Sequence, residues 1–74
     1  MSGHMYKVIE IVGTSGESWE AAARVAVEEA AKHLSDLRIG EVTMMDMQIS
    51  EGKVVSYRTK VKVSFKYHPE EHKS

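Results

Sequence analysis

The run YKVIEIVGTSGESWEAAARVA, residues 6 to 26, decides the fold of this chain. Its first part is rich in valine and isoleucine and predicts a strand over Met5 to Val12. Apolar side chains fall on both faces of that strand, apart from Lys7 and Glu10. We therefore expect the strand to be covered on both sides.

A break and a capped helix are predicted next. The strand pattern stops at the segment GTSGE, residues 13 to 17, and Ser18 is well placed to cap a helix that starts near Trp19. Glu20 in the first turn suits the helix dipole. Apolar residues then recur at steps of three, four or seven, which predicts an amphipathic helix of about five turns. Its apolar stripe is Trp19, Ala22, Ala23, Ala26, Ala30, Leu34 and Leu37.

Two segments of period two complete the chain. Ile39 to Ser50 and Lys53 to Tyr67 read as long strands, joined by a tight turn at Glu51-Gly52. One face of the last strand carries Val55, Tyr57, Thr59, Val61, Val63, Phe65 and Tyr67; the other carries Ser56, Arg58, Lys60, Lys62, Ser64 and Lys66. We predict an α+β fold of order β-α-β-β, with a three-stranded antiparallel sheet wrapped on one helix. The domain is expected to span 5–67, with flexible termini at 1–4 and 68–74.

The size of the chain favours association. A domain of 74 residues buries only roughly 60% of its unfolded surface, and the chain has no cysteine to form disulfides. The alanine stripe adds little apolar area at each contact. We therefore expect a homo-oligomer.

Composition also argues against several classes of function. Ten basic and eleven acidic residues give a formal charge of -1, which disfavours a nucleic-acid partner. The sequence shows no signal-peptide pattern and no stretch long enough to span a bilayer, so we expect a soluble, cytoplasmic protein without a membrane partner. It also contains no recognisable catalytic constellation, so we do not expect an enzyme.

In the order of these elements and in several short segments, the chain resembles a dodecin. The resemblance rests on the strand end EIVGTS at residues 10–15, the helix opened by Ser18 and the closing segment VKVSF at 61–65. It covers about residues 5 to 67. The resemblance implies a hollow homododecamer of cubic symmetry that binds flavins in pairs at interfaces between trimers.

Two positions depart from the flavin-binding pattern. In flavin-binding dodecins, a tryptophan at the start of the second strand stacks on the isoalloxazine ring, and a glutamine on the third strand hydrogen-bonds to its polar edge. Ile39 stands at the tryptophan position and Arg58 at the glutamine position. Isoleucine has no π-face, and arginine donates hydrogen bonds but cannot accept them. High-affinity flavin binding of the usual kind is therefore disfavoured.

A smaller branch of the family, the calcium dodecins, is similar to this chain at these same places. The similar segments are Ser18-Trp-Glu20, Asp36-Leu-Arg-Ile39, Asp46-Met47, Tyr57-Arg58 and Val63-Ser-Phe-Lys66. This resemblance implies a calcium-binding dodecamer without defining its ligand set.

Asp46 is the carboxylate of most interest. It lies mid-strand between methionines, on the predicted face of Val42, Met44 and Gln48, where a charge is costly unless it is paired or coordinated. One interpretation is a ligand for calcium or another cation, together with Glu41 or Asp36. The other is an ion pair with Arg38, Arg58 or a lysine of a neighbouring strand.

Other side chains have ordinary explanations beside functional ones. Arg58, Lys60 and Lys62 form a basic row that could hold a phosphate-bearing ligand or pair with acids. Trp19 could stack on a ligand or anchor the core or a subunit contact. His68 and His72 beside Pro69 suggest adventitious metal binding at most.

Three functions stay open from the sequence. The leading hypothesis is a non-enzymatic dodecamer that sequesters calcium or another cation. The second is flavin storage in a modified pocket, with apolar contact from Ile39 and hydrogen bonds from Arg58. The third is a purely structural oligomer without a specific ligand.

Overall fold

The computed structural model describes residues 5 to 66. The elements are β1 (Tyr6–Ser15), α1 (Trp19–Ala31), β2 (Leu37–Ser50) and β3 (Lys53–Lys66). The strands form one sheet in the order β1-β3-β2, and both pairings are antiparallel. The predicted β-α-β-β order and antiparallel sheet are confirmed.

The first strand is longer than the sequence indicated. It continues through Gly13 to Ser15, which pairs with Tyr57, so the predicted end at Val12 is wrong. Gly13 is buried, and a Cβ there would overlap the main-chain carbonyl oxygen of Ala22. Glycine therefore serves close packing of the helix on this strand and does not interrupt the strand.

The helix begins as predicted but ends early. Its N-cap is Ser18, whose hydroxyl oxygen accepts a hydrogen bond from the main-chain N–H of Ala21 at 3.0 Å. It spans 13 residues and ends at Ala31, about three and a half turns, so the predicted five turns are wrong. Leu34 follows the helix, and Leu37 begins β2 two residues earlier than predicted. Asp36 lies in the connection with φ 59°. This left-handed conformation is incompatible with a continuing helix.

The core lies between α1 and the pair β1 and β3. Ala22, Ala26, Val61, Val63 and Phe65 are buried there. Ile9, Ile11, Ala23, Val27 and Leu37 are packed partly buried against this core. The helix lies mainly over β1 and β3, and it touches β2 much less. The helix side of β2 is therefore largely uncovered in one chain.

The two faces of the sheet follow the predicted alternation of β3. We call the side toward α1 the inner face and the opposite side the outer face. On β3, the inner face carries the buried Thr59, Val61, Val63 and Phe65. The polar set predicted for the other side lies on the outer face, which no helix or strand among residues 5 to 66 covers.

An irregularity in β2 changes which side chains share a face. Val42 pairs with Val61, whereas Met44 pairs with Lys60, so Thr43 is an extra residue in the ladder. Because directly paired residues point to the same side, Val42 lies on the inner face. Met44 and Asp46 lie on the outer face. The prediction that Val42 and Asp46 share a face was wrong.

A single chain does not cover both sides of β1. Val8 and Val12, on the outer face, are 57% and 51% exposed. The expectation of two-sided cover is therefore wrong for one chain. These valines are apolar surface that no helix or strand of residues 5 to 66 covers.

The hairpin between β2 and β3 turns at the predicted residues. Glu51 and Gly52 both have positive φ, 53° and 77°, the combination of a type I′ turn. The hairpin extends past β1, because the last pair of β1 is Ser15 with Tyr57. Its end exposes Ile49, Val54 and Val55. Within residues 5 to 66, no helix has the length and apolar character needed to cross a membrane.

Candidate ligand-binding site

Asp46 and Arg58 form an ion pair on the outer face. They are directly paired in the β2–β3 ladder. Arg58 Nε donates to Asp46 Oδ1 at 2.8 Å, and Arg58 Nη2 donates to Asp46 Oδ2, also at 2.8 Å. This is a bidentate guanidinium–carboxylate contact. Of the two interpretations of Asp46, the ion pair is the one seen in the single chain.

The pair keeps both groups ionised. The hydrogen bonds from Arg58 lower the pKa of the Asp46 carboxyl, against a smaller opposing effect of burial, and the charges of Arg58 and Lys60 lower it further. The hydrogen bonds and charge of Asp46 raise the pKa of Arg58. The side chains are 46% and 36% exposed for Arg58 and Asp46. Solvent and salt screen an ion pair this exposed.

Trp19 joins this pair to the start of the helix. Its indole Nε1–H donates to the main-chain carbonyl oxygen of Asp46 at 2.8 Å. Its ring meets that of Tyr57 edge to face, with centroids 5.0 Å apart and planes at 73°. Its own carbonyl oxygen accepts a hydrogen bond from Thr59 Oγ1 at 2.9 Å. Trp19 thus acts as a structural anchor between α1, β2 and β3.

The roles of Tyr57 and Thr59 beside Trp19 were missed from the sequence. A signal was present, because Thr59 is the one hydroxyl residue between Tyr57 and Val61 on a face that is otherwise aromatic or branched aliphatic. A buried hydroxyl needs a hydrogen-bond partner. Here that partner is the first helical residue.

Ile39 and Glu41 lie toward the other end of the outer face. They line a shallow recess of about 370 Å³, together with Val8, Lys62 and Ser64. Ile39 is 65% exposed and also borders a wider recess beside Tyr6 and Arg38. Its strand partner is Ser64, six residues along β3 from Arg58, a separation of roughly 20 Å. Ile39 and Arg58 therefore do not share a pocket within one chain.

The three predicted cation ligands are also spread along the sheet. Asp36 precedes β2 and its carbonyl oxygen accepts from the N–H of Lys66 at 3.1 Å. Asp46 lies opposite Arg58, eight residues along β3 from Lys66, so it is roughly 26 Å from Asp36. Glu41 shares the outer face with Asp46 because of the extra residue Thr43, yet their partners on β3 are four residues apart, about 13 Å. In residues 5 to 66 of one chain, no three His, Cys, Asp or Glu side chains cluster as metal ligands.

The basic row also lies on this outer face. Lys62 is paired with Glu10 on one side and Glu41 on the other. This register suits the interpretation that the row pairs with acids. His68 and His72 lie outside the described residues.

The fold defines a small subunit with one helix, a half-covered sheet and its candidate site on the open sheet face. The dodecin family model matches residues 5–68, and the chain belongs to the dodecin family. It is 45% identical to the calcium dodecin of Mycobacterium tuberculosis over 65 residues, 88% of this chain and 92% of that protein. It is 39% identical to the dodecin of Thermus thermophilus over 64 residues, 86% and 93% of the two chains.

Solved structures agree with this assignment. The dodecin of Streptomyces coelicolor matches with a TM-score of 0.87 at 38% identity, covering 92% of this chain and 97% of that one. The calcium dodecin of M. tuberculosis is described as a calcium-chelating immunodominant antigen with a novel calcium-binding site. It matches with a TM-score of 0.78 at 47% identity, covering 88% and 93%. The resemblance to dodecins, and to the calcium branch, is confirmed.

Proposed function

We propose that this protein is a non-enzymatic homododecamer that binds and sequesters calcium or another small cation. The observation that carries the proposal is Asp46, an ionised carboxylate on the outer face of the sheet, where other copies can approach. The similarity to a calcium-chelating dodecin supports calcium as the cation.

Uncovered apolar surface supports assembly. On the inner face of β2, Val42, Met45 and Met47 are 48%, 57% and 39% exposed. The radius of gyration is 15.2 Å, against about 11 Å for a compact domain of this length. Such a chain leaves apolar area in water that contact with further copies would bury.

Assembly also accounts for the distribution of acidic residues. Calcium takes six to eight oxygen ligands, more than Asp46 supplies within one chain. Symmetry can bring copies of one side chain together. In this proposal, Asp46 of one copy meets carboxylates or carbonyls of another, with Glu41 and Asp36 as the candidate additional ligands.

Calorimetric titration of chelator-treated protein with calcium tests the cation proposal. We expect binding heat and a rise in melting temperature with calcium concentration, because a ligand that binds the folded state stabilises it. Magnesium at the same concentration is the control for ionic strength and charge. No heat and no shift in melting temperature would refute calcium binding.

Flavin storage in a modified pocket is the second candidate; Ile39 lacks the π-face of the usual tryptophan but offers apolar contact. Its exposed side chain borders the wider recess beside Tyr6, so an aromatic ring could lie against apolar surface there. Because Arg58 lies roughly 20 Å from Ile39 within one chain, an arginine donor to a ring oxygen or a phosphate there would come from another copy. Riboflavin fluorescence should then fall on addition of micromolar protein. Unchanged fluorescence and a colourless preparation would count against it.

A purely structural oligomer is the third candidate. It shares the assembly with the other two and differs in having no specific ligand. The same calcium and riboflavin titrations distinguish it. Neither titration would show binding, while the assembled mass would be retained.

A further inference from the structure

We propose that the free edge of β2 in one copy docks into a slot beside β1 of the next copy, so that copies of the chain join head to tail. The proposal rests on the proposed homo-oligomer and names the two surfaces that form one of its contacts. The slot is a cavity of about 400 Å³ between α1 and β1.

The slot runs along the free edge of β1. Residues 11 to 14 all line it, although successive residues of the strand point to opposite faces of the sheet. A cavity that all four residues line must lie along the edge of the strand. The other edge of β1 is bonded to β3, and no strand among residues 5 to 66 pairs with this one. Its outward main-chain groups can therefore accept a further strand.

The helix forms the opposite wall of the slot. Val25, Glu29 and His33 lie on this side of α1, and Val25 is 51% exposed. A half-exposed valine leaves apolar area in water, and a strand added beside β1 would bury it.

The position of the helix explains why the slot and the uncovered β2 occur together. A helix is about 10 Å wide and neighbouring strands lie about 4.8 Å apart, so one helix covers about two strands. Here α1 lies over β1 and β3 and touches β2 much less. The same offset leaves the inner face of β2 uncovered and brings the helix toward the free edge of β1.

The two surfaces also lie at the same level along the sheet. Thr59 of β3 pairs with Gly13 of β1 on one side and with Met45 of β2 on the other. The slot at residues 11 to 14 is therefore level with the exposed Met45. A ring of copies about an axis along the strands would place these two surfaces against each other. Head-to-tail contacts that close into a ring leave no edge strand free.

A symmetric contact between two β2 edges is the alternative. It would pair the edges but leave Val42 and Met45 without a helix over them, and the slot beside β1 would stay empty. The head-to-tail contact covers both surfaces, because α1 of the next copy then lies over β2. We therefore favour the head-to-tail contact.

Cysteine cross-linking tests this contact, because the chain has no cysteine of its own. Full-length chains carrying Val25→Cys and Met45→Cys, with tags of different length, are co-expressed, purified as the assembly and treated with a short bis-maleimide. We expect a cross-linked dimer that contains one chain of each kind. Met45→Cys alone should give no cross-linked dimer.

Met44 offers a matched control on the same strand. It is the neighbour of Met45, is 38% exposed and lies on the outer face. Val25→Cys co-expressed with Met44→Cys should therefore give no cross-linked dimer. Thermal melting followed by circular dichroism establishes that each variant is folded.

The outcomes separate this contact from the assembly it rests on. An assembled protein without the Val25–Met45 cross-link would refute the contact and leave the homo-oligomer standing. A dimer from Met45→Cys alone would support the symmetric alternative and overturn the proposal. Equal cross-linking through Met44→Cys would refute it too, because the reaction would not depend on the face of β2. Wild-type protein that is monomeric by light scattering would remove both the contact and the proposed assembly.

A second readout uses charge in place of a cross-link. Val25→Lys should lower the assembled mass measured by light scattering, because the slot would then bury an unpaired charge. Glu28→Gln is the control, since it changes the net charge by the same amount at an exposed helix position that does not line the slot. A folded Val25→Lys protein with the full wild-type mass would contradict the proposal.

Discussion

Trp19 links the start of the helix to the candidate site. Its indole N–H bonds the Asp46 carbonyl, its ring contacts Tyr57, and its carbonyl accepts from the buried Thr59. Side-chain and main-chain bonds thus hold the helix start to both β2 and β3.

We predict that Trp19→Phe destabilises the protein by about 1 kcal/mol, because Phe keeps an aromatic ring but leaves the Asp46 carbonyl without its donor. Urea unfolding at fixed protein concentration measures the change. Tyr57→Phe is the control, since it keeps the ring contact and is expected to alter stability by less than about 0.5 kcal/mol. Equal losses in both variants would show that the indole hydrogen bond contributes nothing specific.

At the scale of elements, the contact between β1 and α1 depends on Gly13. The helix backbone approaches so closely that no Cβ fits. Gly16, in the connection to the helix, has no atom within 4 Å of the position its Cβ would take. The two glycines are three residues apart, but a side chain cannot fit at Gly13, whereas it has open space at Gly16.

We predict that Gly13→Ala lowers the free energy of unfolding by about 3 kcal/mol or more, because the new methyl group must push α1 from the sheet. Gly16→Ala is the control and should change stability by less than about 1 kcal/mol. Thermal melting followed by circular dichroism tests both. A Gly13→Ala protein as stable as wild type would overturn the close-packing explanation.

The hairpin turn carries a different backbone requirement. Both Glu51 and Gly52 have left-handed φ, which costs roughly 1 kcal/mol for a residue with an ordinary Cβ. Asparagine tolerates this conformation better than glutamate does.

We predict that Glu51→Asn stabilises the protein by a few tenths to about 1 kcal/mol, whereas Gly52→Ala destabilises it by about 1 kcal/mol. Chemical denaturation of the two variants beside wild type measures both signs. The turn assignment would be contradicted if Gly52→Ala left stability unchanged.

For the whole molecule, the inner face of β2 is one apolar surface that needs a partner. The helix covers β1 and β3 and leaves Val42, Met45 and Met47 exposed. Further apolar side chains are exposed on β1 and at the end of the hairpin. Their distribution over several sides of the chain fits contacts with more than one neighbouring copy.

We predict that Met45→Lys reduces the assembled mass, because a buried lysine at a subunit contact would carry an unpaired charge. Glu17→Gln is the control, since it changes net charge by the same amount in an exposed connection. Light scattering should give twelve chains of 8.3 kDa, roughly 100 kDa, for wild type and the control. A wild-type monomer or dimer would refute the dodecamer, and an intact Met45→Lys assembly would remove this face from the contacts.

The sequence by itself determined the element order, the cap at Ser18, the hairpin turn and the inner and outer faces of β3. These features depend on local chemistry and on the two-residue period of a strand, so they can be predicted without knowledge of tertiary contacts. The family resemblance could be detected for the same reason, because it rests on contiguous segments.

The tertiary structure alone decided where the helix ends, why Gly13 is required and which side chains of β2 face together. These depend on packing and on extra residues in β2 such as Thr43, which shift the strand register without any signature in the hydrophobic pattern. It also decided which basic residue pairs with Asp46 in one chain. The sequence allowed Arg38, Arg58 or a lysine, and only the β2–β3 register placed Arg58 against both oxygens, because that pairing is set by contacts between distant segments.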